Sequence, residues 1–121
     1  MSEQEDKMKK GVELATRLFA GATLSGVSMP AKFRGYTMAH LFGDVWQGEE
    51  LALEERSLVT CVTLVALNRE AEQRLHFIGA KNLGIPREKL EAMISHVAHY
   101  AGWPNAVTAF RVLDEVWPVE S

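Results

Sequence analysis

The chain has 121 residues, 47% of them hydrophobic, with 13 Lys and Arg against 16 Asp and Glu, for a formal net charge of −3. This size and apolar share suit one domain over residues 1–121 with a single core, and the slight acidity, with no run of Lys or Arg, argues against a nucleic-acid partner. Cys61 is the only cysteine, which excludes an intramolecular disulfide and any Cys-x-x-Cys redox or zinc motif and suits the reducing cytoplasm.

The N-terminus, MSEQEDKMKK, has no apolar run behind it, and Leu58 to Leu67 is about half of what spans a bilayer, so neither a signal peptide nor a membrane span is expected. Helical periodicity dominates, and no stretch of strict alternation reads as a strand. A first helix over Asp6 to Phe19 places Met8, Val12, Ala15 and Phe19 on one stripe. It stops in GATLSGVSMP, residues 21–30, the segment expected to act as a hinge. A second helix, Lys32 to Trp46, carries Phe33, Tyr36, Ala39, His40 and Gly43 near one face.

The third helix, Leu53 to Leu67, opens with Glu54 and Glu55 at the positive end of its macrodipole and has almost no polar face beyond. A helix apolar all round must be covered on all sides, so homo-oligomerisation is expected. The fourth helix, Glu70 to Leu83, ends at Gly84, and Pro86 suits the first turn of a fifth, Arg87 to Ala101. A sixth starts at Pro104 and gives way at Pro118. The fold class is therefore all-α, a compact bundle of about six helices.

Glu72 and His76 are four residues apart, so on a helix they face the same way, and the carboxylate can orient the imidazole and raise its basicity. An exposed salt bridge is the competing reading of that spacing. Arg69 and Arg74 are candidates for a carboxylate ligand, as is Arg56, which with Ser57 begins the third helix. His40 sits amid aromatics in AHLFGDVW and lines a pocket or packs in the core. His96 and His99 are three apart and could ligate a metal with His40 or His76, but neither a Glu-x-x-His pair nor a His-Glu-x-x-His motif is present, so no metal is expected. Cys61, within the apolar third helix, reads as a small hydrophobe with a raised pKa.

FGDVW (residues 42–46), ERSLVTCVTLVALNRE (55–70), EQRLH ending at His76, and the stretch from Gly79 to Val116 resemble, in order, the carboxymuconolactone decarboxylase family of the alkylhydroperoxidase D-like superfamily. The resemblance covers roughly Phe33 to Val116, while residues 1–30 match only loosely. Hydroperoxide-reducing members of that superfamily carry a Cys-x-x-Cys pair before the histidine and a glutamate one helix earlier. Here those positions are Arg69, Glu72, His76 and Ser57, so thiol peroxidase chemistry is excluded.

What the resemblance implies is the decarboxylase branch: small helical subunits forming homotrimers or homohexamers, with pockets near subunit contacts, acting without a cofactor. The implied reaction is decarboxylation of a γ-carboxymuconolactone-type substrate to an enol-lactone, in the protocatechuate branch of β-ketoadipate catabolism. His76 would be the acid/base residue and Glu72 its neighbour, with Arg56, Arg69 or Arg74 on a substrate carboxylate and His40 or His96 at the pocket wall. Trp103, Leu83 and His99 depart from the best-known decarboxylases of aromatic catabolism. Proton transfer on another lactone or unsaturated acid, and ligand binding by a non-catalytic oligomer, are the alternatives.

Overall fold

The Ser2 hydroxyl accepts the Glu5 amide at 3.1 Å and starts the first helix, with Glu3, Glu5 and Asp6 at its positive end. Helix α1 therefore runs Glu3–Leu18, opening ahead of the Asp6 expected from the apolar stripe, because the cap and not the stripe sets the start. The computed structural model of the protein describes residues 2–22 and 28–120, and among these there are six α-helices and no strand. The hinge expected over residues 21–30 falls mostly on 23–27, outside the described residues.

The expected second helix is three pieces. Helix α2, Ala31–Gly35, widens into a π-helical stretch, Tyr36–Phe42, and a 3₁₀ turn follows at Val45–Gln47. The reason is the crossing with α1, which is backbone on backbone. A Cβ on Gly11 would stand 1.7 Å from Met38 O, and one on Gly43 2.0 Å from Lys7 O. A π turn takes up one more residue per hydrogen-bonded ring and so rotates the face presented inward. Ala39, Phe42 and Gly43 point into the molecule, whereas Phe33, Tyr36 and His40 are exposed.

Helix α3, Leu53–Ala66, opens where the Ala52 amide donates to the Glu55 carboxylate at 2.7 Å. It closes at Asn68, whose φ of 57° lets the Arg69 amide return to Leu64 O at 2.9 Å and the Asn68 amide to Val65 O at 3.0 Å. Helix α4, Glu70–Asn82, ends by the same device at Gly84. Helices α5, Arg87–Ala101, and α6, Trp103–Val116, complete the bundle, α6 opening one residue before the expected Pro104.

Leu18, Cys61, Val65, Phe77, Leu90, Ile94 and Leu113 are fully buried at the centre, the larger of them contributing roughly 1.5–3 kcal/mol each. Two asparagines tie helix ends across the bundle. Asn82 Nδ2 donates to Leu18 O and Ala20 O, at 2.9 and 2.8 Å, and Asn105 Nδ2 to Ala66 O at 3.1 Å. Helix α3 turns Ser57, Cys61 and Val65 inward and leaves Val59 and Leu67 exposed, so its apolar outer edge is uncovered within the chain. Among the described residues no helix is long and apolar enough to cross a membrane.

Candidate active site

His76 lies on the side of α4 that faces α1 and the 3₁₀ turn. Phe19, just past the end of α1, meets its ring edge-on at 5.2 Å between centroids, and Trp46 stacks against it at 6.2 Å and 27°. Phe42 closes the arc, 5.7 Å from Phe19 and 5.6 Å from Trp46. The π-helical stretch places Phe42 inward, and the 3₁₀ turn carries Trp46 over the imidazole. Behind the ring, the Cys61 thiol donates to His76 O at 3.5 Å.

These apolar walls desolvate the imidazolium and push the His76 pKa down from 6.5 to about 4. Cys61 is pushed up to about 12 by burial, tempered by the Ser57 hydroxyl one turn away, so it is an uncharged thiol at neutral pH. The depressed histidine makes stability pH-dependent. Between pH 6.5 and about 4 the unfolded chain binds a proton that the folded chain refuses, so stability present above pH 6.5 is lost as the pH falls through that window. We expect wild type to lose on the order of 2–3 kcal/mol more than His76→Phe between pH 7 and pH 4 in parallel denaturant titrations. Parallel losses in the two proteins would show the ring to be solvated.

Four buried side-chain atoms have no hydrogen-bond partner among the described residues: Arg56 Nε, Ser57 Oγ, Gln73 Oε1 and His76 Nδ1. All four lie on α3 or α4. The Arg56 side chain is only 14% exposed. Its Nη2 donates to Gly48 O at 3.1 Å and lies 3.6 Å from Glu50, so it braces the loop that follows Trp46. Two hollows flank the aromatic arc. One of about 280 Å³ is lined by Lys10, Arg17, Gln47 and Trp46, among others, and one of about 340 Å³ by Ala15, Thr16, Phe19 and Met38.

The other residues singled out in the sequence lie elsewhere. Glu72 is exposed and forms no hydrogen bond or ion pair with His76 among the described residues, because the ring turns inward to Trp46 while the edge of α4 bearing the carboxylate meets solvent. Arg69 is exposed at the start of α4. Arg74 is engaged by Glu115, at 2.6 and 3.4 Å, which ties α4 to α6. His40 is exposed on the outer face of the π-helical stretch. His96 packs on Tyr100 at 5.3 Å and lines, with Ser95 and His99, a separate surface hollow of about 570 Å³ on α5. Among the described residues no three of His, Cys, Asp and Glu converge as metal ligands.

Phe19, Trp46 and Gln73 are the site residues that the sequence did not single out, Phe19 having entered only on the apolar stripe of the first helix. Trp46 and Gln73 lie within FGDVW and EQRLH, the segments that carried the resemblance, but their placement beside or near the histidine is set by tertiary packing.

The described residues thus define an all-α bundle holding one desolvated histidine among aromatics. More narrowly, the chain belongs to the carboxymuconolactone decarboxylase family, whose model matches residues 31–115. It is 30% identical over 118 residues to a 4-carboxymuconolactone decarboxylase of Acinetobacter baylyi, covering 93% of this chain and 88% of that one. It is also 32% identical over 71 residues to a nitrosuccinic acid decarboxylase of Metarhizium robertsii, covering 59% of this chain and 50% of the relative.

Proposed function

We propose that this protein decarboxylates a small polycarboxylate whose departing carboxyl group leaves an electron pair that an adjoining electron sink delocalises, with a γ-carboxymuconolactone as the first substrate to test and His76 as the proton donor. The observation that carries the reading is His76 itself, the histidine held inside the aromatic arc, on the segment matched to the family. The two relatives support the class. Their named substrates, a carboxylated lactone and a nitro-substituted diacid, each pair carboxyl groups with an electron-withdrawing group.

Loss of CO2 from the γ-carbon of the unsaturated lactone leaves an electron pair that moves through the ring double bond onto the lactone carbonyl, giving a furan-like oxyanion. A proton delivered to carbon restores the lactone as its enol-lactone isomer. The substrate supplies the sink, so the protein has to bind the carboxylates, desolvate the one that leaves and deliver one proton.

Apolar walls do the second task, since a carboxylate is more reluctant to lose its charge as CO2 in water than in a dry pocket. For the third, an anionic substrate beside the ring favours imidazolium, and the same burial that depresses its pKa makes that imidazolium a strong acid toward carbon. Arg56, with its unpaired Nε, is the cation best prepared to hold a second carboxylate, because Arg74 is already taken by Glu115. The reading includes assembly with further copies of the chain, since Val59 and Leu67 leave the outer edge of α3 uncovered.

The test is incubation of purified protein with γ-carboxymuconolactone, following CO2 release and enol-lactone formation by NMR. Turnover supports the reading. Absence of turnover by folded protein on this lactone and on nitrosuccinic acid would remove it.

A further inference from the structure

Two buried polar atoms on α4, three residues apart, are left without partners among the described residues. Gln73 is 0% exposed, and its Nε2 donates to Leu64 O at 3.1 Å while its Oε1 has no partner among the described residues. One turn further on, Nδ1 of His76 is buried and likewise has no partner among the described residues.

The orientation of the Gln73 amide is fixed by chemistry. A peptide carbonyl only accepts, so the atom facing Leu64 O must be the NH2 group and the atom remaining must be the oxygen. Leu64 O is itself immobilised, because it also takes the Arg69 amide at 2.9 Å in the turn that closes α3. His76 is held along the same α3–α4 contact by the Cys61 thiol on its carbonyl. Residues three apart on a helix share a face. An acceptor lacking a donor and a ring nitrogen able to be a donor therefore stand on one side of α4.

Among the described residues no charge contributes to the depressed His76 pKa, whose cause is burial, and the Arg56 guanidinium on α3 has only N–H donors and so cannot accept from that nitrogen. On α4, Glu72 is exposed, and on α3 the Cys61 thiol is neutral. The aromatic rings that meet the imidazole are Phe19, just past α1, and Trp46, on the 3₁₀ turn, with Phe42 of the π-helical stretch packed against both of these. A buried amide oxygen can orient an imidazole without making it more basic, unlike a carboxylate.

We propose that Gln73 is the positioning residue of this site: one buried water accepts the His76 Nδ1 hydrogen and donates to Gln73 Oε1, which fixes the tautomer whose Nε2 exchanges the proton with substrate. A polar gap bounded by unpaired buried atoms is where a bridging water is stable. This rests on the reading of His76 as the proton donor and replaces Glu72 by Gln73 as the group that holds it.

The test is 15N NMR of the histidine rings in the full chain, for wild type, Gln73→Leu and Gln73→Glu. Wild type at neutral pH shows His76 as the Nδ1–H tautomer. Gln73→Leu loses that single tautomer, and Gln73→Glu, which puts a carboxylate beside the ring, raises the His76 titration midpoint by at least about one unit. A residue that only braced Leu64 O would move neither. An Nε2–H tautomer in wild type overturns the proposal whether or not the variants fold, and so does an unmoved midpoint in folded Gln73→Glu. Because these readouts do not use turnover, a protein inactive on the lactone would count against the proposed reaction and leave the Gln73 result standing.

Discussion

His76→Ala lowers kcat on the decarboxylation substrate by at least about 100-fold, with KM changed far less. A positioned general acid contributes typically about 10²- to 10⁴-fold, and the rings that meet the imidazole, Phe19 and Trp46, have no titratable proton with which to take over. The fold should survive the change. The histidine is partly buried at an edge of the core, and its removal also removes the unpaired Nδ1. His76→Gln, which refills most of the space, serves as the second variant. Circular dichroism and sedimentation, run beside the assay, separate lost chemistry from lost structure. Glu72→Gln should by comparison stay within a few-fold of wild type, since that side chain is exposed and makes no bond to the ring. Near-wild-type turnover by folded His76→Ala would sink the assignment.

Gly43→Ala destabilises the protein by about 3 kcal/mol or more, on the order of 10 °C in Tm. The added methyl would lie 2.0 Å from Lys7 O and 2.7 Å from Ala39 O, both backbone atoms that no side-chain rotation can clear. Relief requires moving α1 off the π-helical stretch, and Gly11, whose Cβ would lie 1.7 Å from Met38 O, meets the same crossing from the other side. Gly35→Ala is the control, because among the described residues nothing stands within 4 Å of where its methyl would lie and the residue is helical. A Tm for Gly43→Ala equal to that of Gly35→Ala would refute the backbone-on-backbone account. The crossing also bears on the site, since α1 leads into Phe19 and the π-helical stretch carries Phe42.

Four helices are legible in the sequence almost to the residue, because their ends are written in local chemistry. Gly84 and Pro86 mark one boundary, Gly102 and Pro104 another, and Glu54 and Glu55 a third. Residues 31–47 are not legible in the same way. Nothing local in Tyr36–Phe42 disfavours a plain α-helix, and the π geometry accompanies a crossing partner some thirty residues away in sequence.

The same division holds for the site. His76 stands out from residue type and an apolar neighbourhood, but the four-residue spacing to Glu72 describes only which side of the helix both start from. How the ring turns is decided by Trp46 and Phe19, which come from two other elements. Gln73 escapes a reading of the sequence for a related reason. A glutamine in a helix is ordinarily solvated, and its burial follows from the carbonyl of Leu64, nine residues back across the turn.

That carbonyl also bears on how the family can vary. Loops between helices are where homologues usually absorb insertions and deletions, and Leu67-Asn68-Arg69 is as exposed as such loops are. Its length is nonetheless fixed. Leu64 O accepts both the amide that closes α3 and the side chain of Gln73. An added or missing residue would shift α4 along its partner and separate Gln73 from that oxygen. In this chain the turn thus tolerates substitution rather than a change of length, and at Asn68 only by residues that tolerate a positive φ.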